Sequence, residues 1–140
     1  GRCMVAELAD EGTEEQQRQF VEEVVQGFLD ASYARDWEKM QVLFHDGFQF
    51  FGHDQHGALR KQTKEEFVGG YRARAADKSW AYYPSYNEIL SVDFTSERTA
   101  VARTKLRIQD RIYTDILSLI SLNGAWGIIA KVAASEPIQD

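Results

Sequence analysis

Cysteine is almost absent from this chain, whose only copy among 140 residues is Cys3. A single cysteine cannot close an internal disulfide, so the sequence gives no sign of an oxidising compartment. No stretch approaches the roughly 20 apolar residues of a membrane span, and residues 1–12 lack the apolar centre of a signal peptide. We expect a cytoplasmic protein without membrane contact; an export signal that has already been removed is the alternative.

The sequence also lacks an excess of positive charge. Its 22 acidic and 16 basic residues give a net charge of −6, and no segment clusters lysine and arginine densely. A negatively charged chain without a basic patch is repelled by phosphate backbones. We therefore expect no nucleic-acid partner.

The amino-acid composition indicates one globular domain. Hydrophobic residues make up 44% of the chain and aromatic residues 12%, and a domain of this size buries roughly two-thirds of its unfolded surface. We predict a flexible segment over residues 1–12 and a single domain over residues 13–136.

Helix signals occur in the first half of the chain. Thr13 with Gln16, and Thr63 with Glu66, have the spacing of a capping box, and apolar residues recur at helical spacing after each pair. Asp36 is placed to cap a second, shorter helix between them. The sequence therefore predicts three helices.

The second half alternates with the period of β-strands. A short strand is predicted around Phe48 and Phe50, then a loop over residues 53–62, then four strands near 81–94, 98–108, 111–122 and 125–134. Asn123-Gly124 is a strong signal for a type I′ hairpin. Helices followed by a meander of strands predict an α+β domain with three helices packed on a curved antiparallel sheet.

The hairpin fixes which side chains share a face. Two-residue turns at Asn123-Gly124 and Gln109-Asp110 place Leu119 opposite Ile128, Leu117 opposite Ala130 and Thr104 opposite Asp115. The face under the helices then contains one carboxylate, Asp115. The other face mixes isoleucines with four cations, Arg103, Lys105, Arg107 and Lys131, and we expect a homodimer through it.

Two segments resemble a known family. They are Leu43-Phe44-His45-Asp46-Gly47-Phe48, and Asp115-Ile116-Leu117-Ser118-Leu119 followed by Gly124, Trp126, Ile128 and Lys131. Over about residues 14–134 the chain resembles the nuclear transport factor 2-like superfamily, within its putative lumazine-binding or SnoaL-like group. That resemblance implies a cone whose open end forms a mostly apolar pocket. It implies no single activity, because members include isomerases, dehydratases, cyclases, epoxide hydrolases and binding or assembly modules.

Ketosteroid isomerase, an enzyme of this fold, allows a check residue by residue. The tyrosine that donates to its substrate falls on Phe28, and its aspartate base falls near Gly52, beside His53. Asp115 is the counterpart of its neutral carboxylic acid, with a register offset of about one residue. The resemblance therefore does not imply steroid isomerisation.

Asp115 and His53 are the candidate catalytic residues. An acid on an apolar face has a raised pKa and can act as a proton donor, or it can be a structural acid bonded to a neighbour such as Tyr113 or Trp126. His53 could be a general base at the mouth of the pocket.

No cofactor is predicted. His45, Asp46, His53, Asp54 and His56 are close in sequence, but their spacing matches no recognised metal motif, so we predict no metal site. A glycine-rich phosphate loop and a supported Ser or Cys nucleophile are both missing.

Aromatic side chains could line a pocket for a flat ligand. Most should belong to the core, and five are predicted to contact ligand: Trp37, Phe50, Tyr71, Tyr86 and Trp126.

Three functions stay open. The leading hypothesis is a homodimeric protein that binds a small, flat, mostly apolar ligand, with Asp115 and either Tyr71 or His53 as polar anchors. The second is an acid–base enzyme of the dehydratase, isomerase or cyclase kind that uses Asp115 and His53. The third is a non-catalytic dimerisation or assembly module.

Overall fold

The computed structural model describes residues 12–139. The helices are α1 (Glu14–Ala34), α2 (Trp37–Leu43) and α3 (Lys64–Ala73), with a 3₁₀ turn at Ser79–Tyr82. The strands are β1 (Phe44–His53), β2 (Leu59–Thr63), β3 (Asn87–Ser96), β4 (Thr99–Ile108), β5 (Arg111–Leu122) and β6 (Ala125–Pro137). Cys3 and all but the last residue of the segment predicted to be flexible lie outside the described residues.

All six strands form one sheet, in the order β2-β1-β6-β5-β4-β3. Four of the five neighbouring pairs are antiparallel, and β1 lies parallel to β6. Three helices pack on the curved sheet, so the predicted α+β architecture is confirmed. The parallel pair joins the first strand of the chain to the last.

The predicted helix caps are confirmed. Thr13 and Gln16 form a capping box, and Thr63 and Glu66 form another, in which the Thr63 backbone N–H donates to the Glu66 carboxylate at 2.9 Å. Asp36 accepts from the Lys39 backbone N–H at the start of α2. Each cap satisfies backbone donors that no helical carbonyl can reach.

The core lies between the helices and one face of the sheet. Phe28 of α1 and Met40 of α2 are fully buried there, against Phe44 and Phe48 at the start of β1, whose rings stack with centroids 3.9 Å apart. No helix in residues 12–139 is long and apolar enough to cross a bilayer.

Two strand boundaries differ from the expectation. Residues 59–63, within or next to the predicted loop, form β2 at the edge of the sheet, paired with β1. Its sequence is polar and mostly exposed, so it shows no apolar alternation for a pattern to detect. The strand predicted from residue 81 begins only at Asn87, because the 3₁₀ turn occupies the preceding aromatic segment.

The hairpin register is confirmed near the turn and is wrong beyond it. Asn123 and Gly124 both have positive φ, as a type I′ turn requires, and Leu119 does pair with Ile128. A β-bulge at Ile129 then shifts the ladder, so Leu117 pairs with Lys131 instead of Ala130. Lys131, predicted on the outer face, therefore points inward and is only 4% exposed.

We predict that Thr63→Ala lowers the free energy of unfolding by about 1 kcal/mol, because the capping oxygen at the start of α3 is lost. Chemical denaturation followed by circular dichroism measures the change. Thr63→Ser keeps the oxygen and should stay near the wild-type value; an equal loss in both variants would contradict the capping role.

Candidate functional site

A cavity of about 370 Å³ opens between the end of α1, α3 and the inner face of the sheet. Every one of these elements contributes side chains to its walls. The lining residues are Ser32, Tyr33, Arg35, Phe50, Arg60, Phe67, Tyr71, Arg74, Asp77, Trp80, Ile108, Gln109, Tyr113, Lys131 and Ala133. We call this space the cone cavity.

Aromatic rings form much of the wall of the cone cavity. Phe67 of α3 stacks on Phe50 of β1 with centroids 5.1 Å apart, and the Tyr71 ring lies 5.4 Å from Phe67. Trp80 of the 3₁₀ turn meets Tyr33 of α1 edge to face at 5.0 Å. Two groups of rings thus give the cavity flat, weakly polar surfaces.

Arg35 ties the end of α1 to the segment after α3. It takes a left-handed conformation just past α1, and its guanidinium donates to the backbone oxygens of Arg74 and Asp77 at 3.2 and 3.1 Å. The same group lies 3.3 Å from the Asp77 carboxylate. Because Arg35 is only 8% exposed, these contacts hold one rim of the cavity in place.

Lys131 reaches the inner wall of the cone cavity from β6. Its ammonium lies 3.3 Å from Oδ2 of Asp115. It also lies over three rings, at 4.9 Å from the centroid of Phe28, 4.8 Å from Phe67 and 5.6 Å from Phe50. Ring faces attract a cation, most strongly where water is excluded.

Asp115 itself has no exposed surface. Within residues 12–139, no group donates a hydrogen bond of good geometry to either of its oxygens, and the Oγ1 of its cross-strand neighbour Thr104 is likewise without a partner. Burial raises the pKa of the Asp115 carboxyl above 3.8, and the Lys131 ammonium opposes that rise without cancelling it. The lysine is therefore the principal polar partner of this acid, in place of the neighbours expected from sequence.

His53 lies elsewhere, on an exposed part of β1. It lines an adjoining groove of about 510 Å³, which shares four lining residues with the cone cavity, namely Phe50, Arg60, Tyr113 and Ala133. Asp115 lines neither space. The structure thus places the two candidate catalytic residues in different surroundings.

The five aromatic residues predicted to contact ligand separate into groups. Phe50 and Tyr71 line the cone cavity. Trp37 lines a groove between α2, α3 and β1. Tyr86 is exposed and donates to Glu88, whereas Trp126 is buried and donates to Gln17 at 2.7 Å, which fastens α1 to β6.

Sequence reasoning missed the cations of the cavity. Arg35 follows α1, Arg60 lies in β2, Arg74 follows α3 and Lys131 lies in β6, so no spacing along the chain links them. The apolar stripe of α3 did identify Tyr71. Across the described part of the chain, no group of three or more His, Cys, Asp and Glu side chains converges as a metal site would.

A comparison with protein-family models matches residues 16–133 to the family described as "Putative lumazine-binding". The chain belongs to this family. The resemblance seen in the sequence is thereby confirmed. No curated protein sequence matches the chain.

Solved structures show the same fold as this family member. An NTF-2 like protein of unknown function from Silicibacter pomeroyi superposes with a TM-score of 0.76 at 18% identity, covering 89% of this chain and 99% of its own. An NTF2-like protein of unknown function from Shewanella baltica gives 0.76 at 19%, covering 91% and 100%. A domain with a cystatin-like fold from Nostoc punctiforme gives 0.69 at 12%, covering 90% and 81%. At these identities the likeness establishes the nuclear transport factor 2-like fold alone.

The Lys131–Asp115 pair gives a prediction about stability. Lys131→Met leaves a buried carboxyl without its ammonium, and should lower the free energy of unfolding at neutral pH by about 3 kcal/mol. The double variant Lys131→Met/Asp115→Leu removes both charges and should recover most of that loss.

The loss should also depend on pH. Without the ammonium, burial alone acts on Asp115, so its pKa in the folded protein rises further above that of the unfolded chain. The folded form then holds a proton that the unfolded form releases, and stability falls as pH rises through that window. Urea denaturation at about pH 4 and about pH 7 should show the smaller loss at the lower pH, near the ordinary pKa of Asp. A single Lys131→Met variant as stable as wild type at both values would contradict the pairing.

Proposed function

We propose that this protein binds a small, flat, mostly apolar molecule in the cone cavity. The observation that carries the proposal is the cavity itself, which is lined by two groups of rings in contact, Phe50 with Phe67 and Tyr71, and Trp80 with Tyr33. Flat rings along the wall favour a flat ligand, since stacked and edge-to-face contacts both become possible.

The size of the cavity supports a ligand of this kind. Its volume of about 370 Å³ falls at the lower end of the range of about 300–1,000 Å³ for small-molecule sites. A fused two-ring or three-ring molecule suits such a space. The family name, "Putative lumazine-binding", agrees with a bicyclic ligand, and we take from it the ligand's shape rather than its identity.

Binding accounts for the site better than acid–base catalysis does. Asp115 lies behind Lys131 and His53 lines the adjoining groove, whereas a general acid and base must both reach the reacting atoms. Tyr71, on the cavity wall, is the polar anchor from the sequence-based hypothesis that a ligand could contact directly.

The test uses two neighbouring alanines of β6. Ala133 lines the cone cavity and Ala134 does not. Ala133→Phe should fill the cavity and abolish binding; Ala134→Phe adds the same ring outside it and should leave binding unchanged. A thermal-shift screen of flat aromatic compounds against wild type comes first, since a ligand at about 100 times its Kd stabilises the fold by about 2.7 kcal/mol.

The compounds that stabilise wild type are then measured by thermal shift on both variants. Loss of the shift in Ala133→Phe alone would support the cone cavity as the site. Shifts that persist in Ala133→Phe would move binding to another surface, and a screen without any hit would favour the assembly module instead.

We further propose that the outer face of the sheet joins two copies of the chain. Ile116 and Val132 lie side by side on that face and are 45% and 47% exposed. Arg103 pairs with Ile116 across the neighbouring strand. A face that is apolar at its centre and charged around it is typical of protein interfaces.

The oligomeric state tests this interface. We expect a dimer by analytical ultracentrifugation, and a monomer for Ile116→Asp/Val132→Asp, because carboxylates at the apolar centre of the interface would lose their water on association. Val42→Asp, on a residue 84% exposed in α2, is the control and should stay dimeric. A wild-type monomer at all concentrations, or a double variant that is still dimeric, would contradict the proposal.

A further inference from the structure

The charges around the cone cavity are mostly of one sign. Four cations, Arg35, Arg60, Arg74 and Lys131, line it, against the single carboxylate of Asp77. The whole chain carries a net charge of −6, so this excess of positive charge is a local property of the cavity. A local field of one sign selects ligands of the opposite sign.

Two of the four cations are already neutralised. Arg35 lies 3.3 Å from the Asp77 carboxylate, and Lys131 lies 3.3 Å from Asp115. Arg35 and Lys131 are both buried, and a buried charge without a partner would be costly. These two pairs shape the cavity and leave little charge for a ligand.

Arg60 and Arg74 differ from Arg35 and Lys131. Neither guanidinium lies within ion-pair distance of a carboxylate of the described residues. Arg60 makes a hydrogen bond of 3.2 Å to the neutral amide of Gln62, which leaves its charge uncompensated. Each has several N–H donors arranged to fit the two oxygens of a carboxylate.

The aromatic wall holds both guanidinium groups at the cavity. Arg60 lies over the Phe50 ring at 5.1 Å and Arg74 over the Tyr71 ring at 5.1 Å. Phe67 touches both of these rings, so the two cations flank one continuous apolar surface. An acid group attached to a flat ring system can meet such a cation while the rings contact the wall.

Trp80 carries a further donor without a partner in the described part of the chain. Nε1 of Trp80 is buried, and no acceptor among residues 12–139 lies within hydrogen-bond reach of it. Trp80 lines the cavity, and an indole N–H can only donate. The charged groups left over for a ligand, Arg60 and Arg74, are also donors only, which calls for acceptor oxygens.

We infer that the ligand of the cone cavity is an aromatic or polyunsaturated carboxylic acid, bound as its anion, whose carboxylate contacts Arg60 and Arg74. The inference rests on the proposed function and narrows it to one chemical class. A neutral or cationic flat molecule would leave both guanidinium groups without a counter-charge.

Naphthoate and naphthamide are matched probes, equal in shape and different in charge. Isothermal titration calorimetry on the full chain should give a Kd for naphthoate about tenfold lower than for naphthamide, as expected for charge-assisted hydrogen bonds at a partly exposed site. In Arg60→Gln/Arg74→Gln that preference should fall to about twofold or less.

Lys61→Gln/Arg72→Gln is the matched control. It changes the net charge by the same amount, with Lys61 next to Arg60 in β2 and Arg72 two residues before Arg74. Lys61 lines neither the cavity nor the adjoining groove, and Arg72 lies over Trp37 in a different groove. The control should keep the preference for naphthoate. If the double variant of Arg60 and Arg74 fails to fold, each single variant should lose part of the preference.

The outcomes separate this inference from the proposed function. Equal binding of both probes to wild type, lost in Ala133→Phe, would overturn the inference and leave the cavity as a binding site. A naphthoate preference kept in Arg60→Gln/Arg74→Gln would overturn the assignment of these two residues. Failure of both probes, in a protein that gave no hit in the thermal-shift screen, would overturn the proposed function as well.

Discussion

The buried contact between Lys131 and Asp115 constrains the rest of the site. An ammonium and a carboxyl both lose their water here, and each is costly to bury alone. The pair and the three phenylalanine rings around the ammonium compensate that cost only if α1, α3 and β1 keep their positions. Two of these rings, Phe50 and Phe67, form part of the cavity wall, so the packing that stabilises the lysine also shapes the space for a ligand.

Stability alone does not explain such a pair. Replacing a buried ion pair by apolar residues of similar volume is often neutral or stabilising, and Leu117 and Ile128 nearby show that this face accepts apolar side chains. Lys131 borders the cavity, while Asp115 lies behind it. We interpret the pair as a support that fixes polar groups next to the cavity and adds little net charge.

Local signals were enough to predict most of the fold. Capping boxes at Thr13 and Thr63, and the turn at Asn123-Gly124, each depend on neighbouring residues, and all three are confirmed. The bulge at Ile129 has no such signal, because the outward residues around it are apolar enough to fit either face. One inserted residue therefore reversed the side predicted for Lys131.

Only part of the candidate site could be predicted from the sequence. Asp115 could be placed on the inner face because its register depends on two short turns, and Tyr71 because α3 has a clear apolar stripe. Arg60 could not, since β2 is a polar edge strand without a detectable period. Cations from separate elements become neighbours only through the sheet order, in which β1 joins β6 in parallel.

A crystal structure of the protein soaked with naphthoate tests the central claim most directly. We expect density for the rings between Phe50 and Tyr71, with the carboxylate within hydrogen-bond distance of Arg60 or Arg74. Density in the groove beside Trp37, or a cone cavity closed by its own side chains, would contradict the claim that this cavity is the binding site.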